Sequence, residues 1–184
     1  YYDDLSLVEK GHQAWEYDPL GNWETFQDQD VTQNRDHNLA NELTSIDGST
    51  NAIAHDAAGN MIRIPVPGDT NRYYACTWDA WNRLVKVETN GLTVAKYAYD
   101  GMQRRVRKIA NATTNSYYYD GWNVVEELMD NGSTTTNTYV FGLDLSGSMQ
   151  GAGGIGGLLS ATFESSNTVF YLHDANGNVS QLVD

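Results

Sequence analysis

Arg83-Leu84-Val85-Lys86-Val87-Glu88 alternates apolar and charged residues, Asn90-Gly91 follows at once, and Thr93-Val94-Ala95-Lys96-Tyr97-Ala98-Tyr99 carries the chain back to Asp100. Alternation with a period of two marks a half-buried strand, and Asn-Gly supplies the left-handed dihedrals that a two-residue hairpin turn requires. The stretch therefore reads as one antiparallel hairpin. Asn131-Gly132 repeats the device after Val124-Val125-Glu126-Glu127-Leu128-Met129.

The hairpin belongs to a series. Its exit, Tyr99-Asp100-Gly101-Met102-Gln103-Arg104-Arg105, has counterparts in Tyr17-Asp18-Pro19-Leu20-Gly21-Asn22-Trp23, His55-Asp56-Ala57-Ala58-Gly59-Asn60-Met61, Trp78-Asp79-Ala80-Trp81-Asn82-Arg83-Leu84, Tyr119-Asp120-Gly121-Trp122-Asn123-Val124-Val125 and His173-Asp174-Ala175-Asn176-Gly177-Asn178-Val179. With Asp36 opening a degenerate further copy, the successive Asp spacings from Asp18 to Asp120 are 18, 20, 23, 21 and 20. A unit of that length is too short for paired helices and suits two strands of about six to eight residues with two turns. The gap of 54 residues from Asp120 to Asp174 leaves room for two more units that have lost the aromatic-Asp opening, and Tyr139-Val140-Phe141-Gly142 reads as the relic of one.

Each core has a physical reason to reverse the chain. An Asp carboxylate accepts hydrogen bonds from backbone N–H groups two residues on, and a Gly three residues later supplies a positive φ. The aromatic residue before the Asp is expected to end a strand and stack on its counterpart in the next hairpin, at a strand spacing of about 4.8 Å. Residues 34–46 hold the nearest thing to a helical pattern, Leu39, Leu43 and Ile46, but three apolar residues inside the repeat phase favour strand or loop.

Composition agrees with an all-β reading, since Tyr, Trp, Thr and Val favour strands while Gly, Asn and Asp favour turns. Lys and Arg number 11 against 24 for Asp and Glu, a net charge of −13 over 184 residues, which repels nucleic acid and anionic membranes. Cys76 is the sole cysteine, so no internal disulfide and no zinc or redox pair can be assembled. No apolar run approaches the roughly 20 residues of a membrane helix. The opening Tyr1-Tyr2-Asp3-Asp4 lacks a leader pattern, so a fragment of a longer protein is expected.

Tyr99-Asp100-Gly101 with Arg104, Tyr17-Asp18-Pro19-Leu20-Gly21-Asn22 and His173-Asp174-Ala175-Asn176-Gly177-Asn178-Val179 resemble the YD repeats of the RHS family, and the likeness runs over nearly the whole chain. His37 to Ile46 and Tyr139-Val140-Phe141-Gly142-Leu143-Asp144-Leu145-Ser146-Gly147 are similar to segments just before the RHS-associated core of bacterial members. The resemblance implies a ribbon of hairpins that spirals into a shell, as in bacterial toxin complexes, polymorphic toxins and the teneurin adhesion proteins. It implies secretion or display at the cell surface, edge pairing with further YD repeats or neighbouring copies, and an enclosed C-terminal toxin cargo. Toxin members also carry an aspartic self-cleavage site downstream; no segment up to Asp184 matches it, so that activity is not carried over.

Other motifs lead elsewhere and are declined. Gly151-Ala152-Gly153-Gly154-Ile155-Gly156 matches a dinucleotide fingerprint, but that needs a helix after it, and a glycine-rich loop over 142–160 is the better reading. Asp174-Ala175-Asn176-Gly177-Asn178 starts like an EF-hand, yet Val179 occupies the place of the obligatory Gly. Asp28-Gln29-Asp30 reads as a solvated loop. His12, His37, His55 and His173 are scattered, Glu126 and Glu127 fall on opposite faces of one strand, and no catalytic, cofactor or metal residue is assigned.

The expectation is thus an all-β array over 1–184, consecutive antiparallel hairpins forming a curved or spiralling sheet, with a structural and not an enzymatic role. The alternative is an adhesion module binding carbohydrate or a cell-surface receptor. Its test residues are Trp81 and Trp122, whose indole faces could stack on sugar rings.

Overall fold

The computed structural model describes residues 13–164 and 166–184; His12 and the opening tyrosines lie outside them. The described residues contain sixteen strands and no helix: β1 (Gln13–Tyr17), β2 (Trp23–Asp28), β3 (Val31–His37), β4 (Leu43–Ile46), β5 (Ala54–His55), β6 (Met61–Val66), β7 (Asp69–Trp78), β8 (Leu84–Thr89), β9 (Leu92–Tyr99), β10 (Arg105–Ala110), β11 (Thr113–Asp120), β12 (Asn123–Asp130), β13 (Thr134–Phe141), β14 (Leu158–Phe163), β15 (Asn167–His173) and β16 (Val179–Val183). The protein is all-β, built of consecutive antiparallel hairpins, and the strand orders are open with no barrel closure.

Two compact units divide the chain: Tyr1–Asn82 with Glu88–Gly91, and Arg83–Val87 with Leu92–Asp184. In the first, β1 to β4 pair in sequence order, as do β5 to β7. The break between these runs is the turn after Ile46, where Ile46 and Ser49 exchange backbone hydrogen bonds and Asp47 is tied back to Asn34. Ile46, Ala52 and Ile53 are buried there. In the second unit, β9 to β16 pair each with the next.

The local chemistry explains both kinds of reversal. On one side the chain turns through two left-handed residues, as at Asn90-Gly91 (φ 50° and 75°) and Asn111-Ala112 (φ 50° and 61°), whose twist matches that of the flanking strands. On the other side it turns through Asp cores flanked by register shifts, for example between Glu16 and Tyr17 or between Leu172 and His173. Such a bulge strengthens the local twist and lets a three-residue loop close.

The core is thin. Ala95, Ala161 and Val169 are buried in the second unit, and no large side chain among the described residues is fully buried. Ladder hydrogen bonds and cross-strand side-chain pairs hold such a sheet, where a thick apolar layer would hold an ordinary domain. One such pair joins the hydroxyls of Thr162 and Thr168 at 2.8 Å.

The structure corrects three expectations. Asp36 does not open a repeat: it lies in β3 and accepts the Ser45 hydroxyl, while the reversal falls at Asn38 to Glu42. Residues 34–46 hold the end of β3 and all of β4, in keeping with the strand or loop reading. Between Asp120 and Asp174 there is one further Asp turn and not two, because 16 residues go into the connection from β13 to β14. That glycine-rich connection spans 142–157; Leu158 to Ser160 already belong to β14.

Candidate functional site along the turn rim

Asp18, Asp56, Asp100 and Asp174 do the same work in the same way. One carboxylate oxygen accepts the backbone N–H groups two and four residues on, at 2.8 and 2.8 Å for Asp18, 2.9 and 2.9 Å for Asp56, 2.9 and 2.9 Å for Asp100, and 2.9 and 3.0 Å for Asp174. The second oxygen accepts the side chain four residues on: Asn22 at 2.8 Å, Asn60 at 3.0 Å, the Arg104 Nε at 2.7 Å and Asn178 at 2.9 Å. The Asp carbonyl closes the turn by accepting the N–H three residues on, and that residue always has a positive φ, whether Gly (Gly21, Gly59, Gly177) or not (Asn82, Gln103). Hydrogen bonding to the ionised form lowers the carboxyl pKa. The Asn22, Asn60 and Asn178 amides are the main cause for Asp18, Asp56 and Asp174; at Asp100 partial desolvation opposes the shift and the Arg104 N–H and guanidinium outweigh it.

Two turns escaped the aromatic-Asp signature. Asn38 substitutes for Asp: its Oδ1 accepts from Ala40 and Glu42 N–H, and its amide reverses polarity by donating to the Glu42 carboxylate at 2.6 Å. Asp144, only 5 % exposed, accepts the Ser146 N–H and hydroxyl at 2.9 and 2.6 Å and, on its other oxygen, the Ala152 and Gly154 N–H groups at 2.6 and 3.2 Å. The Ser146 hydroxyl and these N–H groups lower its pKa to about 2. Asp144-Leu145-Ser146-Gly147-Ser148 keeps the Gly at the third position, a signal visible in sequence once the preceding aromatic is not demanded.

Successive turns are linked. Trp78 Nε1 donates to the Met61 carbonyl at 2.9 Å, the Tyr99 hydroxyl to Leu84 at 2.9 Å and the Tyr119 hydroxyl to Arg105 at 2.8 Å; each acceptor lies five residues after the preceding core's Asp. The residue at the fourth position reaches forward: Asn22 to Asn41 at 3.0 Å, Asn60 to Asn82 at 2.9 Å, Arg83 to the Asp100 carbonyl at 3.1 Å, and Arg104 to the Gly121 carbonyl. Where rings on rings are expected, cations lie on the rings of successive turns, with Arg83 over Tyr99 at 4.9 Å and Arg104 over Tyr119 at 4.7 Å. An Arg at that position already serves the turn, so it fills the gap between rings with charge. Aromatic rings meet in the first hairpin, where Trp15, Trp23 and Phe26 cluster at 5.6 to 6.0 Å.

Asp120 departs from the rule. It pairs directly with Asn123 across a two-residue reversal, and Gln150 from the glycine-rich connection supplies the turn's bonds, accepting the Trp122 N–H at 3.0 Å and donating to the Asp120 carbonyl at 3.1 Å. Trp81 and Trp122 are 67 % and 60 % exposed on their turns. Gly151 to Gly156 lies in the connection before a strand, with no helix following, so the dinucleotide reading has no support in the fold.

Consecutive antiparallel hairpins turned by Asp-centred loops are a class of architecture with known examples. The fold matches that of TcdB2-TccC3 without its hypervariable C-terminal region, with a TM-score of 0.55 and 16 % identity over 94 % of this chain and 10 % of that one. A further structure of TcdB2-TccC3 gives a TM-score of 0.54 over 90 % of this chain and 10 % of that one, again at 16 % identity. In sequence the chain is similar to the tRNA3(Ser)-specific nuclease WapA of Bacillus spizizenii, 30 % identical over 192 aligned positions, which take in all of this chain and 7 % of that protein. It is also similar to the tRNA nuclease WapA of Bacillus subtilis, 29 % identical over 149 positions covering 77 % of this chain and 6 % of that one. The chain thus spans less than a tenth of these curated relatives. No family model matches it.

Proposed function

We propose that the chain is a wall segment of a larger RHS-type protein that acts outside the cell or at its surface, where its hairpins form part of a β-shell around a C-terminal toxin. The observation that carries this reading is the turn geometry repeated at Asp18, Asp56, Asp100, Asp144 and Asp174, which propagates one hairpin shape along the chain. A repeat whose units differ in surface residues but share their turn chemistry is suited to extension by stacking, each hairpin covering the edge of the last. The likeness to WapA nucleases and to TcdB2-TccC3 supports a toxin setting.

In this reading the segment is not itself catalytic; nuclease or other activity resides elsewhere in the whole protein. The test is protease protection. In the full-length protein the region beyond these hairpins resists digestion, and deleting β9 to β12, two whole hairpins, exposes it while leaving the effector's intrinsic activity intact. A C-terminal region equally sensitive with and without those hairpins would overturn the encapsulating role.

A further inference from the structure

We propose that the pocket between β7 and the Asn90-Gly91 turn binds a free α-amino acid, with Arg72 taking its carboxylate and Glu88 its ammonium group. An irregularity in the hairpin series builds the site. Between β6 and β7 the register passes from Val66 opposite Asp69 to Pro65 opposite Tyr73, so residues 70–72 have no partner on β6. A bulge of this kind re-aims side chains that a regular ladder would hold in place. The Asp69 carboxylate fastens it by accepting the Asn71 N–H at 3.0 Å. Asn71 and Arg72 line a pocket of about 220 Å³ together with Tyr73, Ala75, Glu88 and Asn90. All of these residues belong to the first compact unit. Tyr73, in the wall, is held in place: the Arg63 guanidinium lies over its ring at 4.8 Å, and its carbonyl accepts the Thr89 hydroxyl at 3.4 Å.

The charges in the pocket select the ligand. Arg72 is exposed, and its guanidinium makes no hydrogen bond or ion pair among the described residues, in a chain where acids outnumber bases 24 to 11. Glu88 lines the same pocket without pairing to it. A simple anion would be repelled by Glu88 and a simple amine by Arg72, whereas a zwitterion satisfies both. A guanidinium takes a carboxylate through two parallel N–H bonds. A carboxylate has about four acceptor sites, so Glu88 can accept the ligand's N–H groups beside the contact it already makes. Asn71 and Asn90 bring amides that can serve either end of the ligand. The volume equals roughly seven waters at about 30 Å³ each and falls below the roughly 300 Å³ at which drug-sized sites begin. A peptide terminus carries one of the two charges without the other beside it, so the free amino acid is the class.

This site does not depend on the wall role proposed above. The test is heteronuclear NMR titration of the intact chain with the standard L-amino acids in turn. At least one is expected to shift the amide signals of residues 71–75 and 88–91, with a dissociation constant on the order of millimolar. Its N-acetyl and carboxamide derivatives, each lacking one charge, bind at least about tenfold more weakly, as does inorganic phosphate. Arg72→Gln and Glu88→Gln each weaken binding at least about tenfold, while Arg107→Gln, which removes an exposed cation of the other unit, leaves it unchanged. Arg72→Lys, which keeps the charge without the fork, retains part of the affinity and guards against a folding defect in the Gln variant. Melting curves of the same variants tell loss of the sheet from loss of the site. Silence from every amino acid, equal binding of a derivative or of phosphate, or an unaffected Arg72→Gln would each overturn the assignment.

Discussion

Replacing Gly177 by Ala tests whether the glycine-rich connection is fastened to the neighbouring turns. Gly177 has φ +78°, and a Cβ there would stand 2.6 Å from Ile155 Cγ2, 3.0 Å from Leu145 Cδ1 and 3.2 Å from the Gly156 nitrogen. The left-handed backbone alone costs an L-residue about 1–2 kcal/mol. Forcing a methyl into a filled space adds roughly 1–3 kcal/mol, because the Gly156 nitrogen is backbone and cannot swing away. The sum is about 2–5 kcal/mol. Gly132 in the same unit, at φ +102°, and Gly21 in the same kind of turn, at φ +87°, have nothing within 4 Å of an added Cβ. Gly132→Ala and Gly21→Ala should therefore show the backbone cost alone. Urea unfolding measures the difference, and hydrogen exchange measures where it falls: in Gly177→Ala, residues 142–157 should exchange faster while β9 to β12 are unchanged. Equal costs for all three variants, or unaltered exchange in 142–157, would refute the account.

The carboxyl of Asp144 titrates at about 2 in the folded protein against an ordinary value of 3.8. A depressed folded pKa contributes stability that is present above the unfolded value and lost as pH falls through the folded one, so the connection around Asp144 should loosen between about pH 4 and pH 2; exchange or near-ultraviolet dichroism across that window checks it, and Asp144→Asn should flatten the response. Tyr99→Phe and Tyr119→Phe each remove a hydroxyl donor to the carbonyl that starts the partner strand of the same hairpin and should cost about 1 kcal/mol in urea unfolding. Gln103→Gly relieves a positive φ of 67° at an exposed turn and should stabilise by about 0.5–1 kcal/mol, read as a raised melting temperature. Arg104→Lys keeps the charge but loses the planar reach to Asp100, the Gly121 carbonyl and the Tyr119 ring, and should lower the melting temperature where Arg107→Lys does not.

Much of this architecture was legible because its signals are local. An Asp with its acceptor oxygens, a flexible residue three places on and an alternating strand to either side need no distant partner to define a turn, so Asp18, Asp56, Asp100 and Asp174 could be read directly. The same locality misled at Asp36, where an Asp beside His37 imitated the core while Asn38 made the bonds. Asp144 went unrecognised because its reversal lacks the aromatic opening. Trp81 and Trp122 looked alike as exposed indoles; the recess lined by Tyr139, Phe141 and Leu158 beside Trp122 depends on strands that meet across long loops.

Periodicity and turn chemistry thus specified an antiparallel hairpin array, since both arise from interactions over fewer than about ten residues. They could not specify that Gln150 would supply the hydrogen bonds of a turn 30 residues earlier. Nor could they choose cation-on-ring contacts over stacked rings between repeats. Those outcomes belong to the packing of one hairpin on the next, where the spacing of side chains is settled by register and twist and not by order along the chain.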